Sequence, residues 1–344
     1  MIYINLLIIF LLIVTIHELG HYFAARLFNA NVTDFSIGFG KILYQFVDKN
    51  NTSWKISMIP LGGYVKIKGL DTIFKKSTNN IYEFGTFQSL SLIKKIIILL
   101  AGSFFNIFTA WLCLFMIMFF SGIPSFPNII GNVIENSPAF KNDLRKNDLI
   151  NTINSQIIND FADIPKAIGN EKFISIEITR NNLILKKNIN LEFNQEFNRY
   201  FLGISSTEKP IIKRLYLFDS FKSSVLFIPN YYKTTFLYLK NSIKKNSIFN
   251  EISGPIGMVK MADKLPLDKI KGTIFLFIFI SLFVGLFNLL PIPLLDGGHI
   301  IYFIIRKFFS DSLPEIITKT YLTVGFIIIS LLFFIVTFND IFYK

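Results

Sequence analysis

The residues with the clearest chemical potential form one cluster near the start of the chain, His17-Glu18-Leu19-Gly20-His21. Residues four apart lie on one face of a helix, so both imidazoles can reach one metal ion while Glu18 lies beside it. Zinc accepts imidazole nitrogen and leaves a position for water, whose proton a neighbouring carboxylate can take and pass to a leaving nitrogen. The spacing therefore predicts a zinc-dependent hydrolase with Glu18 as its acid and base.

The cluster lies in an apolar segment. Asn5 and Thr15 interrupt an otherwise apolar run over residues 1–16, and the apolar character returns after His21. Ionisable groups at membrane depth cost about 2.5 to 3.5 kcal/mol each, so three of them within five residues need a compensating partner. A metal ion supplies that partner. The alternative is a cluster that ends the apolar run and reaches the membrane interface without a metal.

A third protein ligand is expected, and the sequence offers few candidates. The chain has three histidines, and the third, His299, follows Asp296, an acid that stands alone among apolar residues. Pro291 and Pro293 break the helix before it, and the glycine pair at 297–298 lets the backbone approach another element closely. We predict Asp296 as the third ligand and His299 as a supporting or structural residue. The alternative for Asp296 is a surface carboxylate that ends a helix.

The elements that must position these residues are apolar helices. Four segments are long enough to cross a bilayer, which needs about 20 helical residues: residues 1–16 with their continuation to 28, 96–123, 273–295 and 320–339. Of the 344 residues, 52% are hydrophobic and 17% are charged, and the mean hydropathy is +0.50. This composition excludes an ordinary water-soluble globule and a disordered chain, and the single Cys113 excludes a disulfide scaffold.

The charge distribution favours one orientation without settling it, because residues 141–271 also carry an excess of bases, twenty-one against thirteen acids, although long domains are translocated largely regardless of charge. The formal net charge is +12, but the basic residues lie between apolar runs, so we favour membrane proximity over nucleic acid as its explanation. Residues 26–95 carry ten bases and four acids, which predicts a cytoplasmic location for that segment. With four spans, both termini and the long insert between the second and third spans would then face outward.

The long insert reads as one soluble module followed by a helix. Its alternating or β-branched stretches predict strands at residues 129–134, 149–153, 175–179 and 183–191, and a short helix at 163–168. Residues 213–246 then show helical spacing, interrupted at Pro229, with lysines at the far end. This pattern predicts an amphipathic helix on the membrane surface; a helix packed on the module is the alternative.

Several motifs together carry a family resemblance. The cluster at 17–21 and residues 288–298 resemble the paired signatures HExxH and NxxPxPxLDG of the site-2 protease family of intramembrane zinc metalloproteases. Three further stretches resemble its bacterial branch, the regulator of sigma-E protease: residues 59–66 its membrane re-entrant β-hairpin, 101–106 its second-span motif, and 253–257 the segment before its third span. The strands of the insert resemble a PDZ domain.

The resemblance implies a role for each matching residue. It implies one zinc ion per chain, with ligands His17, His21 and Asp296, catalysis by Glu18, and substrate binding by Asn106, Asn288, Gly62 and Gly63. Helix–helix contacts are the alternative role for each asparagine. Two departures from the family pattern are Ser103, where proline is common, and room for one PDZ-like module where well-known members carry two.

The expected protein is therefore a membrane α-helical one, with about four transmembrane helices, a membrane-associated β-hairpin and one inserted PDZ-like α+β domain. Its expected parts are an N-terminal membrane part (1–123), the PDZ-like domain (124–207), an amphipathic linker (208–272) and a C-terminal membrane part (273–344). The resemblance implies regulated intramembrane proteolysis in the bacterial inner membrane, with the PDZ-like domain in the periplasm. Implied substrates are single-span proteins, such as anti-sigma factors, or remnant signal peptides. A non-catalytic PDZ-bearing scaffold and a metal-ion transporter are the alternatives.

Overall fold

A computed structural model describes residues 2–70, 83–194, 199–207, 210–244, 269–309 and 314–342. The chain divides into two units, one formed by Met1–Phe115 with Phe221–Lys344 and the other by Met116–Ser220. The motif at 253–257 and part of the predicted linker lie outside the described residues.

The α-helices are α1 (Ile2–Leu27), α2 (Leu92–Ser121), α3 (Pro138–Lys141), α4 (Ile164–Ile168), α5 (Leu217–Lys244), α6 (Lys269–Phe287), α7 (Asp296–Phe308) and α8 (Glu315–Phe342). The strands are β1 (Val32–Val47), β2 (Ser53–Ile67), β3 (Ile123–Ser125), β4 (Asn132–Val133), β5 (Leu149–Ile153), β6 (Gln156–Ile157), β7 (Phe173–Arg180), β8 (Leu183–Asn190), β9 (Glu192–Asn194), β10 (Arg199–Phe201), β11 (Ile204–Ser205) and β12 (Ile211–Lys213).

Four helices of the described chain are long and apolar enough to cross a membrane, namely the stretches Asn5–Leu27, Leu92–Ser121, Ile270–Phe287 and Ile316–Asn339. Their number agrees with the sequence prediction. The third was predicted to run to residue 295, but its helix ends at Phe287, and a loop containing Pro291 and Pro293 follows. Proline has no N–H to donate and fixes φ, so the helix cannot continue through this loop. The short helix α7 then begins at Asp296 and was not predicted.

The hairpin between α1 and α2 folds so that the first part of β1, residues 34–37, lies between two parts of β2. Residues 32–37 of β1 pair with 63–67 of β2 on one side, and residues 34–37 pair with 53–56 of β2 on the other. Residues 42–47 then pair with 53–57. Residues 63–67 therefore form an edge, and no further strand of the described chain pairs with their outer side.

The second unit is built around a four-stranded antiparallel sheet in the order β6-β5-β7-β8. The inward-facing isoleucines of these strands form its core, with Ile150, Ile153, Ile176 and Ile178 fully buried. The strand predicted at 149–153 is observed with those bounds, and those at 175–179 and 183–191 agree to within two residues. Of the strand predicted at 129–134, only Asn132–Val133 are ladder residues, since Ile129 makes one isolated bridge.

Helix α5 continues through Pro229, where the sequence predicted an interruption. Phe227 and Tyr231, on either side of the proline, both pack on Phe279 of α6, at ring-centroid distances of 6.3 and 5.6 Å. These contacts compensate for the backbone hydrogen bond that proline removes. From Phe221 onward α5 belongs to the first unit, so the alternative of a helix packed on the module assigned it to the wrong unit.

Candidate metal centre

Helices α1 and α2 approach each other closely beside the histidines because glycines lie at their contact. A Cβ atom on Gly20 would lie 2.3 Å from the carbonyl oxygen of Ala101, so only glycine fits there. A Cβ atom on Gly102 would lie 2.5 Å from Nε2 of His21 and 2.7 Å from Cε1 of His17. Small residues allow such close backbone approach, and here the bare backbone of α2 forms a wall against both imidazoles.

Three candidate ligand atoms converge on one point. Nε2 of His17 lies 3.1 Å from Nε2 of His21 and 3.1 Å from Oδ2 of Asp296. Nε2 of His21 lies 3.5 Å from Oδ1 of Asp296. The structure thus brings the loop after α6 to the helix that carries the HExxH motif, over 270 residues away in the chain.

The three atoms fit a zinc ion. With zinc bonds of about 2.0 to 2.1 Å, ligand atoms at the corners of a tetrahedron lie about 3.3 to 3.4 Å apart. The observed separations lie close to this value. Oδ2 of Asp296 is also buried, and it has no hydrogen-bond donor among the described residues when the lone pair of His17 Nε2 faces the site. Burying a carboxylate oxygen that has no hydrogen-bond donor costs free energy unless a cation takes the place of the donor. The set of two imidazoles and one carboxylate leaves a fourth position for water.

Contacts behind the imidazoles orient them for this role. Nδ1 of His21 lies 2.8 Å from the carbonyl oxygen of Ile98. A carbonyl only accepts, so Nδ1 carries the proton and the lone pair of Nε2 faces the site. Such backing hydrogen bonds fix the ring and the tautomer of metal-bound histidines.

A buried amide, that of Asn106, lies behind the ring of His17. Nδ2 of Asn106 lies 3.3 Å from Nδ1 of His17, and Oδ1 is buried without a partner in the described chain. The two ends of an amide are assigned from hydrogen bonding, not observed directly. If the amide is turned over, Oδ1 accepts the Nδ1 proton of His17, which frees Nε2 for a metal. The turned amide gives the Nδ1 proton of His17 an acceptor and places Nδ2 of Asn106 where no partner lies among the described residues.

Of the other residues predicted to bind substrate, Asn288 lines the cavity at the site, and a Cβ atom on Gly63 would lie 3.8 Å from Cγ of Glu18. Nδ2 of Asn288 lies 3.4 Å from Nε2 of His17. Gly62 has a φ of +110°, which favours glycine, and a Cβ atom there would lie 2.6 Å from the ring of Phe39. A Cβ atom on Gly63 would lie 2.7 Å from the carbonyl oxygen of Ser36. The backbone thus requires glycine at 62 and 63. Substrate binding by Asn106, Asn288 and these two glycines stays a prediction.

The edge of the hairpin contacts Glu18 directly. The backbone N–H of Val65 donates to Oε2 of Glu18 at 2.9 Å. Val65 belongs to the segment 63–67, whose outer side faces the cluster. This contact was not predicted, because a backbone amide has no sequence signature. The Ile98 carbonyl was missed for the same reason.

A cavity of about 380 Å³ opens beside the cluster. His17, Glu18, His21, Asn288, Asp296 and His299 line it, together with the apolar side chains of Val14, Ile98, Leu99, Val284 and Leu294. His299 thus lies in the wall of the site and outside the group of three converging ligands. An apolar cavity with a few convergent polar groups is typical of a catalytic site.

Comparison with known proteins identifies the family. Residues 5–332 match peptidase family M50. The chain belongs to this family. Its M50 relatives include proteins of Rickettsia conorii, at 34% identity over 96% of this chain and 95% of that protein, and of Campylobacter jejuni, at 33% over 94% and 89%. A Helicobacter pylori protein is 30% identical over 96% of both chains. All three carry the name "putative zinc metalloprotease".

M50 membership confirms the predicted enzyme class, a zinc metallopeptidase, and does not support the alternatives of a scaffold or a transporter. The four apolar helices and the family together make this M50 peptidase a membrane protein. Part of the chain, 24% of it, also matches 90% of a PDZ domain of an SdrC-like protein from Listeria monocytogenes. With 17% identity and a TM-score of 0.21, that likeness is too weak to assign a fold.

Proposed function

We propose that this M50 peptidase hydrolyses peptide bonds inside the membrane-spanning segments of other proteins. The observation that carries the proposal is the place where the ligand atoms converge. His17 and His21 lie within the apolar stretch Asn5–Leu27, and Asp296 follows the apolar helix α6 by a short loop. Ionisable groups placed at membrane depth are costly and mark functional sites there. A hydrolytic centre in this position acts on substrate within the membrane.

His17, His21 and Asp296 would hold one zinc ion, with Asn106 and the Ile98 carbonyl fixing the rings. When bound, zinc acts as a Lewis acid on the scissile carbonyl and makes a water nucleophilic near neutral pH. Glu18 takes the proton of the attacking water and delivers it to the leaving nitrogen. Val65 holds one carboxylate oxygen of Glu18, so the other stays available for the proton.

A transmembrane helix hides its peptide bonds within its own hydrogen bonds, so it must be unwound before hydrolysis. The edge at 63–67 supplies a strand to which an unwound segment can add. Because Val65 in this edge contacts Glu18, an added strand would pass directly beside the acid–base group. The strands of the hairpin expose large apolar side chains, including Leu43, Tyr44 and Met58. An exposed apolar surface of this kind suits immersion in the membrane.

The proposed substrates are single-span membrane proteins, such as anti-sigma factors, or remnant signal peptides. The proposed location is the bacterial inner membrane, with the inserted module in the periplasm. The excess of bases over acids in residues 26–95 supports this orientation.

The experiment that tests the proposal uses purified, zinc-loaded protein in lipid vesicles with a single-span reporter. We expect the reporter to be cut within its apolar span, as mapped by mass spectrometry of the fragments. A matched reporter with a Gly-Ser pair in place of two leucines should be cut faster, because its helix unwinds more easily. Cuts confined to the regions outside the span would contradict intramembrane hydrolysis.

The contact between the hairpin edge and Glu18 predicts the effect of Val65→Pro. The N–H of Val65 points away from the sheet toward Glu18, so proline removes it without breaking the pairing with β1. We expect kcat/KM for the reporter to fall about tenfold, the effect of one hydrogen bond of about 1.4 kcal/mol. Val65→Ala keeps the N–H and is the matched control. Equal cleavage by both variants would refute a role for the hydrogen bond between Val65 and Glu18.

A further inference from the structure

The last apolar helix, α8, contacts the loop that carries Asp296. The hydroxyl of Tyr321 donates to the carbonyl oxygen of Gly298 at 2.8 Å, two residues beyond Asp296. One turn further along α8, a Cβ atom on Gly325 would lie 2.4 Å from Cβ of Pro293 and 2.5 Å from its carbonyl oxygen. The helix therefore packs against both ends of the segment 293–298 that presents Asp296.

These contacts lie along one stripe of α8. Thr318, Tyr321 and Gly325 follow the spacing of one helix face, and the hydroxyl of buried Thr318 lies 3.0 Å from that of Tyr302 in α7. The rings of Tyr302 and Tyr321 are 5.8 Å apart. By contrast, the neighbouring Phe326 is 64% exposed. The stripe is the face through which α8 meets α7 and the loop before it.

The loop needs such support. Pro291 and Pro293 cannot donate backbone hydrogen bonds, and Leu294 has a φ of +75°, a strained value for a leucine. Within the loop, the N–H of Gly297 donates to the carbonyl of Asn288 at 2.8 Å. Irregular backbone at membrane depth persists where protein covers it. The backbone of α8 at Gly325 covers the loop at Pro293, and a side chain at position 325 would push the helix and the loop apart.

We propose that Tyr321 and Gly325 are positioning residues for the metal centre, which hold the Asp296 loop at ligand distance from the two histidines. In this arrangement α8 is a structural part of the active site as well as a membrane span. The proposal rests on Asp296 as a zinc ligand.

The test measures zinc affinity by competition with a chelator, on the full-length purified protein. Tyr321→Phe removes one hydroxyl and keeps the ring beside Tyr302, and we expect zinc to bind about tenfold more weakly, the effect of a lost supporting hydrogen bond. Gly325→Ala should weaken zinc binding more, since the added methyl group must displace Pro293. Two controls should bind zinc as the unmodified protein does. Phe326→Leu changes the exposed neighbour, and Gly272→Ala adds a methyl group where nothing lies within 4 Å.

The thermal midpoint of the zinc-free protein separates positioning from general stability. A positioning role leaves the zinc-free midpoint of Tyr321→Phe near that of the unmodified protein while zinc affinity falls. A lower zinc-free midpoint with unchanged zinc affinity would overturn the proposal. It would equally be overturned if Asp296→Asn loses zinc while Tyr321→Phe binds it normally. If Asp296→Asn itself keeps zinc, Asp296 is not a ligand, and a positioning role for Tyr321 and Gly325 is then excluded as well.

Discussion

Replacing Glu18 by glutamine is expected to abolish hydrolysis while zinc stays bound. Glu18 is not one of the three converging ligands, but it lines the same cavity and is held by the Val65 N–H. Glutamine keeps the shape of the side chain and cannot accept a proton from water. A positioned acid–base group contributes about 10² to 10⁴ in rate. We therefore expect kcat for the span reporter to fall by at least about 10²-fold.

The measurement pairs reporter cleavage with zinc content by elemental analysis. The matched control is Glu135→Gln, the same chemical change at an exposed residue of the inserted module, which should cleave as the unmodified protein does. Loss of activity together with loss of zinc would show that Glu18 acts through the metal site. Undiminished cleavage would exclude Glu18 as the acid–base group.

Asp296→Asn is expected to remove zinc and activity together. The substitution keeps the size of the side chain but replaces a carboxylate by a neutral amide, a much weaker zinc ligand. The two histidines alone leave the ion with too few protein ligands. Since loss of an outer partner alone weakens metal binding about 10- to 100-fold, loss of a ligand should cost more than about 100-fold.

Zinc content after dialysis against a weak chelator provides the measurement. We expect close to one equivalent in the unmodified protein and little in Asp296→Asn. Asp219→Asn, at an exposed position of α5, is the matched control and should retain zinc. Adding excess zinc should restore part of the activity of Asp296→Asn if its loop still lies beside His17 and His21. Full zinc occupancy without the carboxylate would refute Asp296 as a ligand.

Local sequence patterns were sufficient to predict the apolar helices and the longer strands of the inserted module. Apolar runs of about 20 residues identify the four candidate membrane-spanning helices, because the bilayer sets that length. The i, i+4 spacing of His17 and His21 places both on one helix face because the α-helical repeat fixes it. The β-branched or alternating stretches of the module predicted β5, β7 and β8 for a similar reason.

The end of α6 was predicted less well. Its apolar residues continue to Leu295, although the helix ends at Phe287. Hydropathy does not distinguish helix from loop inside a membrane protein, and only the prolines marked the break. Pro229 shows the converse, because α5 continues through it where aromatic packing on Phe279 supports both sides.

The sequence by itself determined which side chains can bind zinc and carry protons, because these properties belong to the residue types and their spacing along a helix. Only the tertiary structure decided what holds them in place. The Ile98 carbonyl behind His21, the Val65 amide at Glu18 and the Gly298 carbonyl bonded to Tyr321 are all backbone groups. Every residue carries a carbonyl and nearly every residue an N–H, so their use in a site is set by how distant segments pack and leaves no mark in the sequence.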